Sequence, residues 1–212
     1  MRALICGHTG ATGKIVLEAL VNADWVESVV TVGRRNYEKY ENHPKVKQII
    51  VSDMLDLSAI TLEEVGAINL AFDFVATNLK EAFNGEDFYR IADVDMATKF
   101  AELAKEAGAK YICAISMKDA DKPTEKKGDY AKRAKHDMEE NIRAMEFKKF
   151  AIMRPDWLQR DGSLMEFIYT FGGLQGIKVS DMAKCIIWSA RNQREAEYAY
   201  TVKEMKKIAK QS

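Results

Sequence analysis

Cysteine is scarce in this chain: Cys6, Cys113 and Cys185 are the whole complement in 212 residues, far apart, none in a C-x-x-C pair and each among apolar neighbours. That spacing excludes a disulfide framework and a thiolate metal cluster and leaves three buried thiols, as expected in a reducing compartment. Net charge is also missing. Lys+Arg and Asp+Glu both number 32, so no overall field draws the chain to nucleic acid or to an anionic membrane. No apolar run approaches the roughly 18 residues a bilayer span needs, and the N-terminus enters an apolar strand after a single Arg, without the pattern of a secretory leader. No pair of histidines and acids has metal-ligand spacing, and there is neither internal repeat nor low-complexity tract. The expectation is a soluble, cytoplasmic protein without a metal, whose partner is a small molecule rather than nucleic acid or membrane; a homodimer is compatible with the sequence.

Apolar bursts alternate with amphipathic stretches along the whole chain, the pattern of β-α-β units feeding a parallel sheet covered on both faces. Strands are predicted at Ala3–Cys6, Ser28–Val32, Val46–Val51, Leu70–Val75, Tyr111–Ile115 and Phe150–Met153, with a seventh near Glu197–Thr201. Helical stripes run through Lys14–Val21, through Ala92, Met96, Phe100, Leu103 and Ala107 up to Gly108, and through Ala134, Met138, Ile142 and Met145. A further helix over Met182–Ala190 has Ser180 or Asp181 as its N-cap. The polar segment Lys118–Gly128, with Pro123, reads as a mobile surface loop. At 212 residues one domain is the default, a doubly wound, mostly parallel α/β sheet of six to seven strands with helices on both faces.

The first strand runs straight into G-H-T-G-A-T-G at residues 7–13 and then into a helix. A glycine turn in that place aims free backbone N–H groups and the positive end of the helix dipole at a pyrophosphate. Gly7 makes the tight turn, Gly10 lets the backbone approach the phosphates, and Gly13 permits close helix-to-strand packing, with Thr9, Ala11 and Thr12 completing the cradle. The spacing is G-x-x-G-x-x-G rather than G-x-G-x-x-G. The second strand ends in Thr31-Val32-Gly33-Arg34-Arg35, where an NAD site would place a carboxylate on the ribose. Arg34 and Arg35 can instead fork onto a 2′-phosphate, favouring NADP(H) over NAD(H); the alternative is that they face solvent. Asp53 is placed to accept from an adenine amino group, with Met54 beside it, or to cap the next turn. His8 reads as a spectator, His43 and His136 as solvated. The cluster Lys122, Lys126, Lys127, Lys132, Arg133 and Lys135 is either a lure for an anionic substrate or a wet surface.

These residues resemble the atypical short-chain dehydrogenase/reductase family, most closely its Tat-interacting-protein-like oxidoreductase subgroup. The likeness rests on the glycine turn, V-G-R-R at 32–35, V-S-D at 51–53, A-E-L-A-K-E-A-G at 101–108, A-I-S-M-K at 114–118, M-R-P at 153–155 and V-S-D-M-A at 179–183. It implies a pyridine-nucleotide fold with the nicotinamide near Ala76-Thr77-Asn78, Ser116 and Pro155. It also implies a Ser that orients a carbonyl and a Tyr with a Lys four residues on that moves the proton. Ser116 matches the first; Tyr130 and Lys135 are the nearest matches for the others, but five apart, which puts them about 140° round a helix rather than about 40°. Such a pair converges only if Tyr130 precedes the regular helix or a one-residue bulge intervenes; Arg133 is angularly nearer to Tyr130. Packing on the same stripe as Ala134 is the alternative role for Tyr130, and closing the strand end that for Ser116.

Two functions fit: an NADPH-dependent oxidoreductase reducing a small carbonyl-like acceptor, or a catalytically weak or inactive NADPH-binding regulatory or scaffold protein. Residues 156–178 are expected to form a small substrate-side cap, with Trp157, Leu158, Met165, Phe167, Tyr169 and Phe171 as its apolar wall and glycines at 172, 173 and 176.

Overall fold

Ala3, Leu4, Ile5 and Cys6 are completely buried because the strand they form, β1 (Arg2–Cys6), lies in mid-sheet with helices on both sides. The computed structural model describes residues 1–76, 86–122, 126, 129–159 and 176–211. Around β1 stand β2 (Ser28–Gly33), β3 (Val46–Ile50), β4 (Leu70–Asp73), β5 (Tyr111–Ile115), β6 (Lys149–Arg154) and β9 (Glu197–Thr201), in the order β3-β2-β1-β4-β5-β6-β9. Every neighbouring pair is parallel, with Leu4 opposite Val30 on one side and Ala71 on the other. The chain winds outward from β1 to β3, then returns and winds the other way from β4. That reversal opens a crevice at the carboxyl ends of β1 and β4.

Each face carries its own core. On one, α1 (Ala11–Asn22) and α6 (Val179–Asn192) set Val16, Leu17, Leu20, Met182 and Ile186 against Ile5, Phe72 and Val29. On the other, α4 (Met96–Glu106) and α5 (Tyr130–Ala144) set Phe100, Met138 and Ile142 against Leu4, Ala71 and Ile112. Side-chain alternation along the strands sorts odd from even positions between the two. All three cysteines are free and buried, and burial pushes the Cys185 thiol up to about 12.

The predicted strands are all present within two residues of their expected ends. The helices differ more. α1 starts at Ala11, inside the glycine motif, and α6 starts at Val179 with Lys178 at its N-cap, so neither Ser180 nor Asp181 caps it. The stripe from Ala92 is no single α-helix: α3 (Glu86–Tyr89) leads into a π-helical turn at Arg90–Asp95 before α4 begins. Two short helices escaped the periodicity, α2 (Leu62–Val65) and α7 (Val202–Ala209), although each opens with a capping box, Thr61 with Glu64 and Thr201 with Glu204.

Within the expected cap, Trp157–Gln159 (β7) pairs in parallel with Gly176–Lys178 (β8); Met165, Phe167, Tyr169, Phe171, Gly172 and Gly173 lie outside the described residues. So do Pro123 and Lys127 of the expected loop, whose described part tucks Ala120 into the interior. Two histidines expected in solvent have partners: the Ala120 carbonyl lies 2.9 Å from His136 Nδ1, and His43 Nδ1 accepts from the Lys45 amide at 3.2 Å.

Candidate dinucleotide-binding site

The glycine turn sits at the crevice where the winding reverses, and its packing leaves no room for side chains. Gly7 has φ +67°, a left-handed backbone, and a Cβ there would stand 2.4 Å from the Phe74 carbonyl oxygen at the end of β4. A Cβ on Gly13 would stand 2.2 Å from the Gly7 carbonyl oxygen. The turn closes through the Gly10 amide, which donates to the Gly7 carbonyl at 2.9 Å, and α1 begins as the Lys14 amide donates to Gly10. Gly10 is the N-cap and makes no side-chain cap, and the first turn holds no acidic residue. The amides of Ala11, Thr12 and Gly13 therefore point out of the helix end with no carboxylate or hydroxyl of the N-cap claiming them, and an anion is what they lack. Thr12 is buried, Ala11 exposed and Thr9 between. This cradle fits a pyrophosphate.

At the end of β2, Gly33 is buried while Arg34 and Arg35 are exposed. A side chain at position 33, at the strand end where an NAD site would place its carboxylate, would meet His8. A Cβ on Gly33 would lie 2.9 Å from His8 Cε1, so the imidazole packs against the glycine, and it is itself 1% exposed. Burial lowers its pKa below the ordinary imidazole value. Asp53 accepts from the Leu55 amide at 2.9 Å, the local-turn role, and the Met54 side chain belongs to the core, so only its backbone is available to a ligand.

Beyond β4 and β5 the site is built from side chains. Ser116, 3% exposed, donates its hydroxyl proton to Glu139 of α5, and Arg154 Nε donates to the same carboxylate at 3.0 Å. The hydroxyl that matches the carbonyl-orienting Ser is thus engaged by Glu139. Lys135 is no surface lysine either: its ammonium lies 2.7 Å from Asp93 in the π-helical turn, with side chains 10% and 4% exposed. Asp73, at the end of β4, accepts from Cys6 Sγ at 3.1 Å and from the Val75 amide at 3.0 Å, and burial raises its pKa above the usual carboxylate range.

Tyr130 and Lys135 do not converge. Tyr130 is the first residue of regular α5, and the π-turn lies in the facing segment instead, so neither condition for convergence is met. The cation beside Tyr130 is Arg133, its guanidinium 5.0 Å from the ring centroid and paired with Glu86 at 2.8 Å. The phenol that adjoins the Lys135–Asp93 pair is Tyr89, half-buried, its pKa raised by burial and then by the Asp93 carboxylate. Ala76 is exposed and Pro155 buried; Thr77 and Asn78 lie outside the described residues.

Asp93, Glu139, Arg154, Asp73 and Tyr89 were not singled out by sequence reasoning. The available signal was a charged residue at a core position: Asp93 follows Ala92 on the α4 stripe, and Glu139 adjoins Met138 on that of α5.

The model of the NAD(P)H-binding family matches residues 7–193, from the first glycine of the turn to the end of α6. The chain belongs to the NAD(P)H-binding family. Among relatives of this NAD(P)H-binding protein, Protein HTATIP2 of Rattus norvegicus is 28% identical over 159 residues, 74% of this chain and 62% of the rat protein. The mitochondrial Protein FMP52 of Debaryomyces hansenii is 28% identical over 155 residues, 73% of this chain and 66% of its own. The match thus spans less than two thirds of either relative's length. The resemblance drawn from the motifs is borne out. A solved dTDP-glucose 4,6-dehydratase of Streptomyces venezuelae with NAD bound, at 16% identity, superposes with TM-score 0.75 over 95% of this chain and 75% of its own. MoeE5 with UDP-glucuronic acid and NAD gives 0.72 at 16% identity, over 95% and 76%. Both establish the Rossmann-type fold. One expectation is corrected: several fungal relatives carry mitochondrial names, so a cytoplasmic assignment is not supported. Among the described residues no helix is long and apolar enough to cross a membrane.

Proposed function

We propose that the chain is an NADP(H)-dependent reductase of a small carbonyl compound. The observation that carries the proposal is the pairing of an unclaimed set of helix-end amides with Arg34 and Arg35 at the ribose end, where a side chain at position 33 would meet His8. Ala11, Thr12 and Gly13 hold the pyrophosphate, and the two arginines hold the 2′-phosphate. When bound, the nicotinamide supplies or accepts hydride. Lys135, paired with Asp93, meets the neighbouring ribose hydroxyls in this reading, and a phenol, Tyr89 or Tyr130, gives a proton to the carbonyl oxygen as charge develops there.

A second reading has its own observation. Ser116 is tied to Glu139, Lys135 to Asp93, and Tyr130 stacks under Arg133, so all three family positions are already engaged. That favours a binding protein whose nucleotide occupancy, rather than turnover, is the output.

Two measurements decide. Thermal shift against NADP+ and NAD+ tests the cofactor, since a ligand of the native state raises stability by RT ln(1 + [L]/Kd). A larger shift for NADP+, lost in Arg34→Ala/Arg35→Ala with NAD+ binding retained, is expected; equal shifts for both cofactors overturn the preference. NADPH consumption over a panel of aldehydes, ketones and quinones tests turnover, with Tyr89→Phe and Tyr130→Phe separating the two phenols. Tight NADPH binding with no consumption over the whole panel overturns the reductase in favour of the second reading.

A further inference from the structure

His8 lies inside the glycine motif, but none of the roles given to the turn uses its side chain. Both ring nitrogens are buried, and among the described residues neither has a hydrogen-bond partner. The carbonyls of Val32 and Arg35 are close enough to favour a charged ring, yet neither meets it with hydrogen-bond geometry. A buried imidazole without partners costs free energy unless something it binds restores the bonds. The Thr31 hydroxyl is a second such group, also buried without a partner, and strand alternation puts it on the same face of β2 as Gly33. Two unsatisfied polar groups therefore line one face at the carboxyl end of β2, directly before the exposed Arg34 and Arg35.

We infer that His8 is the third basic group of a 2′-phosphate pocket, beside Arg34 and Arg35, and that it engages the phosphate as an imidazolium. The inference rests on the reading that the glycine turn holds a dinucleotide. Gly33 makes it possible, because any side chain there would displace the ring. The ionisable groups on the elements around His8 are Arg34 and Arg35 beyond β2, Lys14 in the first turn of α1 and Asp53 beyond β3. Lys14 is drawn over the Tyr37 ring, its Nζ 5.2 Å from the centroid, and Asp73 is held on the opposite face of the sheet by Cys6.

The proton comes from solvent, and its linkage has a definite sign. Without ligand, burial disfavours the charged ring; a phosphate dianion beside it favours that ring, so the bound form keeps the proton to higher pH than the free form. Binding of the 2′-phosphorylated cofactor takes up a proton, and affinity falls as pH rises through the range in which only the bound form is protonated. The cofactor's own phosphate, which ionises near pH 6 or so, acts in the opposite sense.

Calorimetric titration of NADP+ and NAD+ at pH 7.5, in two buffers of unlike ionisation heat, reads the proton directly. Wild type takes up a proton with NADP+ and none with NAD+, and its NADP+ affinity falls by about three- to tenfold between pH 6.5 and 8.5. His8→Gln keeps its NAD+ affinity, shows no uptake and loses that pH dependence. The wild-type protein supplies a second readout without any variant: with only three histidines in the sequence, the proton resonance of His8 Cε1 is followed by NMR, and saturating NADP+ or 2′-AMP moves its titration midpoint upward. Equal proton uptake in wild type and His8→Gln, NADP+ binding with no uptake, or a His8 resonance that NADP+ leaves unmoved overturns the inference. Failure of folded wild-type protein to bind either dinucleotide overturns the cradle as well.

Discussion

On one side of the cleft, the turn from Gly7 to Gly13 offers its ligand backbone amides and little else; on the other, Ser116, Lys135, Asp93, Glu139 and Arg154 are side chains already bonded to one another. The first is made within a few consecutive residues, and what it needs is the absence of atoms. The second gathers residues from the π-turn, β5, α5 and β6, and what it needs is a partner for every buried charge. Backbone cradles of the first kind are intolerant of added volume. Networks of the second kind tolerate volume changes better than the loss of one member, which strands its partner in low dielectric.

The largest expected effect comes from stranding a charge. Lys135→Met leaves Asp93 buried next to Asp73 and is expected to cost about 3–5 kcal/mol of stability, while Lys135→Met/Asp93→Leu recovers most of it. Urea denaturation of the single and double variants makes the check. A single variant as stable as wild type would mean that the pair is solvated and that the two sides of the cleft do not differ in this way.

Next comes crowding the turn. Gly13→Ala forces a Cβ against the Gly7 carbonyl and is expected to cost about 2–3 kcal/mol and to abolish dinucleotide binding. Gly10→Ala, whose Cβ would meet the Gly7 oxygen at 3.2 Å, is expected to be milder on both counts. Thermal shift with and without NADP+ ranks them; equal losses would show that the turn yields more easily than its packing says.

The smallest effect sharpens the comparison through pH. Asp73 is an acid whose folded-state pKa is raised by burial, so the native state binds its proton more tightly than the unfolded chain, and stability declines as pH rises from the ordinary carboxylate value through the raised one. Asp73→Asn removes that decline. Its melting temperature is expected to exceed that of wild type near pH 8 and to converge with it near pH 4. A gap independent of pH would show that the Cys6 and Val75 bonds offset the burial.

What could be read in advance follows the same division. The sheet was visible because strands buried on both faces spell themselves in apolar runs, as Ala3–Cys6 and Tyr111–Ile115 do. The cradle was visible because three glycines between a strand and a helix have few other uses. The π-turn at Arg90–Asp95 was not, since the spacing of four from Ala92 to Met96 suits an α-helix as well as a wider turn. The burial of His8 was not legible because nothing in G-H-T-G tells where its ring goes; Gly33, twenty-five residues on, makes the room.

By itself, the sequence determined the alternation of strands and helices, the glycine turn that meets phosphates, and the lack of a carboxylate after β2, because each is a property of neighbouring residues. Only the tertiary structure decided that Ser116 answers to Glu139, that Lys135 turns to Asp93 rather than to Tyr130, and that His8 fills the space above Gly33. Those partners are distant in the chain and meet only when the sheet has closed over both cores, and electrostatic pairing inside a low-dielectric interior depends on that meeting and on nothing local.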